Sequence, residues 1–255
     1  MKNGLKKLQY VFDNTISLVI FFAVWELASR LELFVNPLFL PPFTKVISTL
    51  WGLILSGEIW INLIASLRRS GLGFVLGVAF SLPLGLAIGW FRRFATLINP
   101  LLQAFRNTPT LALLPVFIMF FGITEVSKVA VIFWGVMWSV LLNTIAGVRT
   151  VPPDLIRASR AMGAKSIRLF VTVIFPASLP HIFTGVRIAA TTSILIVIAA
   201  EMLGANRGLG YRLNFNQGNM RFPEMYAYIL VMAVLGVLLN NLLEYIEKRG
   251  FVWRG

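Results

Sequence analysis

Apolar runs of about twenty residues recur six times along the chain, each closed by charged or helix-breaking residues. A helix needs roughly 20 mostly apolar residues to cross the hydrocarbon of a bilayer. The runs lie at about 15–33, 71–90, 101–121, 129–148, 182–203 and 225–243. Composition agrees: 58% of the 255 residues are hydrophobic and 13% charged, where a soluble domain carries about a quarter charged. Twenty-one Phe and seven Trp cannot be buried in an aqueous fold with so little polar surface. The expected fold is therefore all-α, a polytopic transmembrane bundle of about six spans forming a single domain over residues 1–255. That length leaves no room for a separate soluble enzyme.

Cysteine is absent and His181 is the sole histidine, so disulfides, thiolate sites and histidine-based metal clusters are excluded. No set of residues suggests a catalytic centre. The net charge of +13 raises the question of nucleic acid. The basic residues sit between apolar runs, however, and not on one soluble face, which assigns them to topology. With the N-terminus inside, thirteen Lys and Arg fall on the inner segments and seven on the outer ones, leaving aside Arg30, Arg106 and Arg187. This bias predicts both termini in the cytoplasm. Lys2, Lys6 and Lys7 precede the first run, which has no small-x-small cleavage site and reads as a retained span closed by Glu26, Arg30 and Glu32.

Several breaks are legible. Pro37, Pro41 and Pro42 forbid a continuous helix over 35–66, predicting short interfacial helices with Trp51 and Trp60 at headgroup depth. In the second run Gly73, Gly77, Ser81, Gly85 and Gly89 recur every fourth position, so another helix can approach that face closely. Pro83 should bend this span. Pro109 and Pro115 break the third, whose freed carbonyls must face protein or a water-filled cavity. A polar segment follows from Gly204 to Pro223.

The loop over 149–180 is the most informative stretch. Val151-Pro152-Pro153-Asp154 reads as a helix start with Asp154 at the N-cap. Leu155, Ala158, Ser159 and Met162 share one helical face, Gly163 permits a left-handed turn, and Ile167, Phe170, Val171 and Ile174 form a second apolar face before Pro176 and Pro180. Such a helix-turn-helix either docks into another protein's groove or lies along the membrane surface.

Arg157-Ala158-Ser159-Arg160-Ala161-Met162-Gly163, nine residues, then Val173-Ile174-Phe175-Pro176 resembles the "EAA" loop of binding-protein-dependent ABC transporter permeases. That loop reads Glu-Ala-Ala, three residues, Gly, nine residues, Ile-x-Leu-Pro. Arg157 replaces the leading Glu and Ser159 the second Ala. Leu40-Pro41-Pro42, Thr108-Pro109-Thr110-Leu111-Ala112-Leu113-Leu114-Pro115, Ala199-Ala200-Glu201-Met202 and Arg207-Gly208-Leu209-Gly210 are similar to the nitrate/sulfonate/taurine/bicarbonate branch. The resemblance implies a permease of the bacterial inner membrane that pairs with a second, identical copy. It implies two cytoplasmic ATPase subunits, which would bind ATP and Mg, and an extracytoplasmic solute-binding protein. The chain would carry no cofactor itself, and Walker-A spacing is absent from it. The ATPases would be met by Arg157, Ala158, Ser159, Arg160, Gly163, Ala164 and Pro176. The solute implied is a small anion.

Polar residues within spans are candidates for the solute path. Glu201 either lines the path, gated by Arg207, or forms a structural ion pair. Arg106 either attracts an anion or snorkels to the headgroups, and Arg187 has the same alternative. Asn143 reads as a path residue or an interhelical hydrogen bond, His181 as interfacial, and Glu26 as the i, i+4 partner of Arg30. A stand-alone secondary transporter or channel could use the same broken helices but would not need the 149–180 loop. A membrane-embedded enzyme would need reactive groups that the sequence does not supply.

Overall fold

The computed structural model describes the backbone over residues 2–31 and 38–250 and side chains over 16–31 and 38–247. Glu32, Pro37, Arg254 and the side chains of Lys2, Lys6, Lys7, Lys248 and Arg249 lie outside the described residues. The described residues are helical throughout: α1 (Lys2–Arg30), α2 (Phe43–Leu55), α3 (Glu58–Trp90), α4 (Arg92–Arg106), a 3₁₀ turn (Thr110–Leu113) and α5 (Leu114–Phe121). These are followed by α6 (Glu125–Arg149), α7 (Pro153–Ala161), α8 (Ser166–Leu169), a π-helical turn (Phe170–Ile174), α9 (Phe175–Gly204), α10 (Leu209–Gly218) and α11 (Phe222–Gly250). Two compact units result, one of residues 1–61 with 212–232 and one of residues 62–211 with 233–255.

In the first unit the Leu40-Pro41-Pro42 corner is held by α1. Ser29 Oγ donates to the Leu40 carbonyl at 2.6 Å, and Trp25 Nε1 to that of Pro41 at 3.1 Å. Glu26 does pair with Arg30, at 2.6 Å, and also accepts the Thr44 N–H at 3.0 Å, capping α2 from outside the helix. Tyr228 donates to Glu58 at 2.9 Å.

The second unit rests on the glycine seam of α3. A Cβ on Gly73 would meet Ile132, on Gly77 Val136, on Gly85 Thr144 and on Gly89 Val148. Each step of four on α3 is matched by four on α6, so the two helices run parallel in near contact. The adjoining face of α6, about 100° round the helix, packs antiparallel on α9: Gly135 lies against Ile196, Gly185 against Asn143, and Gly147 against His181 and Ser178. Val131, Val136, Val140, Ala189, Val197 and Ala200 fill the core between them.

Parallel α3 and α6 oblige the chain between them to return. From Arg69 to Trp90 α3 rises roughly 31 Å at 1.5 Å per residue, about the hydrocarbon thickness. Residues 91–124 climb back through α4 and α5, which are bent by 88° at the break. The expected third span over 101–121 is therefore corrected: its helix starts at Arg92 and breaks at Asn107-Thr108-Pro109, where proline withdraws a backbone donor. Four described helices are long and apolar enough to cross a membrane, five if the bent pair is one span.

Other boundaries also shift. α3 begins at Glu58, so Trp60–Leu67 belongs to it and forms no separate interfacial helix; only α2 is short. The helix continues through Pro83. The segment expected to be simply polar, 204–223, contains α10.

Gly77→Val is expected to overpack the α3–α6 seam and cost about 1–3 kcal/mol. Gly71, with nothing within 4 Å of its Cβ position, should accept Ala within about 0.5 kcal/mol. Thermal melting of the detergent-solubilised protein measures both.

Candidate functional site

Three groups of polar or exposed residues stand out in the second unit. The first is buried at Glu201, Arg69 and Lys128, with Glu125 at its exposed edge. Glu201, near the end of α9, is 0% exposed. Ser66 Oγ donates to its carboxylate at 2.8 Å, Arg69 Nη1 at 2.6 Å, and the Gly210 N–H at 3.0 Å. Arg69 donates in turn to both oxygens of Glu125, the first residue of α6, at 2.5 and 2.7 Å, and to the Arg207 carbonyl. Asn62 accepts the Gly208 N–H and Ser66 the Leu209 N–H, both at 2.9 Å. Buried Lys128 donates to the Thr124 carbonyl at 3.0 Å and adds the second positive charge, so two acids face two bases.

This network explains the Arg207-Gly208-Leu209-Gly210 motif. Gly208 has φ +127°, and a Cβ there would fall on the Glu201 carboxylate; one on Gly210 would fall on the Ile198 carbonyl. The partner of Glu201 is Arg69. Arg207 contributes only its carbonyl, and its side chain is exposed. Arg69 is one of the seven Lys and Arg that the charge count assigns to outer segments, and it lies inside this network. The signal that would have found it is Asn62, Ser66, Arg69 and Ser70, polar at helical spacing within an apolar stretch.

The second group is the 149–180 loop. The N-cap of α7 is Pro152 and not Asp154: Pro153 is the first helical residue and Asp154 the second, where it pairs with Arg157 at 2.6 Å. Gly163, at φ +81°, ends the helix in a Schellman turn: its N–H bonds to the Arg160 carbonyl at 2.9 Å and that of Ala164 to the Ser159 carbonyl at 3.1 Å. The expected apolar face divides. Ser159 turns inward, while Leu155, Ala158 and Met162 stay outside with Arg157 and Arg160. Pro176 and Pro180 do not stop the second helix, which runs from Ser166 to Gly204. The π turn just before Pro176 absorbs the missing donor and the ring's bulk. Its extra residue also splits the second face: Ile174 and Leu169 are buried against Val148 and Val151, whereas Ile167 and Val171 are exposed. Met162 is 82% and Ile167 81% exposed.

The third group contains the sequence candidate Arg106, and its other members fall on a helix that begins nine residues before the expected third span. Arg92, Thr96, Asn99, Gln103 and Arg106 follow i, i+4, i+7, i+11, i+14 spacing and form an exposed polar stripe along α4. The opposite face, Phe94, Ile98 and Leu102, packs on Ile88, Ala95, Leu141 and Ile145. Arg106 thus sits in the last turn of α4, exposed, beside the break. The other candidates lie elsewhere. Asn143 donates to its own helix, to the Ser139 carbonyl at 2.8 Å. Arg187 does not snorkel but pairs with Glu247 of α11 at 2.9 Å. His181 is exposed, 3.4 Å from the Thr150 hydroxyl. No cluster of metal-ligating side chains occurs among the described residues.

Glu201→Ala leaves Arg69 without its buried carboxylate and the Gly210 N–H without an acceptor, an expected loss of about 3–5 kcal/mol. Arg207→Ala, which keeps the carbonyl, should change stability by no more than about 0.5 kcal/mol. Melting curves of the two variants compare them directly.

Residues 77–251 match the family described as binding-protein-dependent transport system inner membrane component. A protein of Methanocaldococcus jannaschii named as an ABC transporter permease is 37% identical over 91% of this chain and 88% of its own. The taurine transport system permease of Escherichia coli is 32% identical over 94% of this chain and 88% of its own. Relatives named for aliphatic sulfonates and nitrate accompany it. Among solved structures, an inward-facing methionine ABC transporter shares the fold, with a TM-score of 0.66 at 20% identity over 79% of this chain and 97% of that one. The chain belongs to the binding-protein-dependent family of ABC permeases, in its nitrate, sulfonate and taurine branch, and is a membrane subunit of an importer whose ATP hydrolysis resides in another subunit.

Proposed function

We propose that this subunit forms the solute pathway of an ATP-driven importer as a pair of identical copies, and couples to two cytoplasmic ATPase subunits through α7 and the Gly163 turn. One observation carries the reading. Met162 and Ile167 flank the turn almost fully exposed, beside exposed Leu155 and Val171, on a backbone fixed by two capping hydrogen bonds. A rigid apolar knob of this kind suits a protein groove better than water. Arg157, Ala158 and Arg160 stand on the exposed side of α7 and would border the ATPase, while Ser159, Ala164 and Pro176 seat the knob on the bundle. ATP and Mg would be bound by that partner.

With the knob on the cytoplasmic side, both termini are cytoplasmic, in keeping with the charge bias. The ends of α9 and α10 around Glu201 then face an extracytoplasmic binding protein. The polar stripe of α4 would border the pathway, and its Arg92 and Arg106 favour an anion, in line with relatives named for sulfonates, taurine and nitrate. A sulfonate, taurine, nitrate or bicarbonate is the solute class expected. Asn143, turned to its own helix, and Glu201, tied into the buried network, are poorer candidates for solute contact than Arg106, while Arg207 keeps an exposed side chain at the opposite end of the unit.

Purification of the tagged chain from its native membrane should recover a stoichiometric ATPase. Gly163→Val forces a β-branched residue into a left-handed conformation, a strain of about 1–2 kcal/mol, and should drop binding-protein-stimulated ATP hydrolysis and transport together. A chain that purifies alone, and transports without ATPase, would instead identify a secondary transporter.

A further inference from the structure

Arg92, in the first turn of α4, and Arg149, in the last turn of α6, line one open cavity of about 490 Å³ together with Thr96 and Asn99. No carboxylate lines it. Neither arginine has an acidic partner among the described residues, because the ion pairs there engage Glu26, Glu58, Glu125, Asp154, Glu201 and Glu247 with other bases. Two guanidinium groups, a hydroxyl and an amide therefore converge on a space that only an outside anion can neutralise. Guanidinium forks match the paired oxygens of phosphate, sulfonate and carboxylate groups. Arg149 ends the apolar helix α6 and Arg92 follows directly on the apolar helix α3, so both lie where a membrane-crossing helix stops and lipid headgroups and dissolved anions are both available.

We propose that this cavity is an oxyanion-binding site, in which Arg92 and Arg149 grip a phosphate or sulfonate group and Thr96 and Asn99 supply further hydrogen bonds. Its source is either the headgroup of an anionic phospholipid or a soluble anion passing the α7 end of the bundle. The cavity and its unpaired charges are the same whatever solute the importer carries.

The test uses the complete transporter in phosphatidylcholine nanodiscs, with phosphatidylglycerol or methanesulfonate added and bound anion counted by native mass spectrometry. The wild type should retain one anion per permease chain. Combined Arg92→Gln and Arg149→Gln should weaken retention about tenfold or more, while Arg93→Gln, outside the cavity, should not. Both glutamine changes lie at exposed positions, and unchanged melting confirms that loss of binding is not loss of fold. Combined Arg92→Lys and Arg149→Lys, which keeps the charge but not the fork, should fall between. Retention of phosphatidylglycerol alone identifies a headgroup site, and retention of methanesulfonate a soluble-anion site. A wild type that retains neither, or a double glutamine variant that retains as much as wild type, overturns the proposal.

Discussion

The buried ion pair between Arg69 and Glu201 is the centre of the polar contacts that tie together elements otherwise joined mainly by apolar packing. A carboxylate removed from water is tolerated only when its lone pairs are filled, and Glu201 has a hydroxyl, a guanidinium and a backbone N–H to fill them. Arg69 has partners on four of its five donors, with Glu125 and the Arg207 carbonyl beside Glu201. The consequence is geometric. α3, the start of α6, the end of α9 and the turn into α10 share one set of directional bonds, and none can shift without withdrawing a partner from buried Arg69 or Glu201. Replacing the pair by apolar side chains could serve stability equally well, but would not impose this register.

The seam of small residues on α3 works with that clamp. Gly73, Gly77, Gly85 and Gly89 bring α3 within side-chain-free distance of α6. Helix association in a bilayer gains little from the hydrophobic effect, so close packing of this kind is a main source of cohesion. The parallel pair it creates sets the path of the chain between, and thereby makes the bent α4–α5 return a topological necessity. The proline break does not cause the crossing; it decides where the crossing bends.

Much of this was legible in the residues, and the failures have physical causes. Apolar run length announced a helical membrane bundle, and four-residue glycine spacing announced the seam, because both follow from helix geometry alone. Which helix met the seam was not legible, since Ile132, Val136, Thr144 and Val148 carry no mark of their partner. Arg69 was misplaced because a charge near a span end looks the same whether it faces headgroups or a carboxylate 132 positions away in sequence. The Gly163 turn was readable from one glycine, but the division of the α7–α8 faces was not. A π turn adds one residue to the helical repeat, and no local sequence rule announced it.

The two ends of the second unit are held by different forces, and this bears on where it can move. Around Glu201 the contacts are charge-assisted hydrogen bonds, which are directional and fail steeply with displacement. At the α7 end, Val148, Val151, Leu169 and Ile174 meet through apolar contact, which is non-directional and tolerates sliding. The π turn beside them already departs from regular helix, so a change of register there breaks no charge pair. Under the proposed coupling, α9 would be clamped at Glu201 and would take up movement of the exposed apolar knob at Gly163 through the π turn.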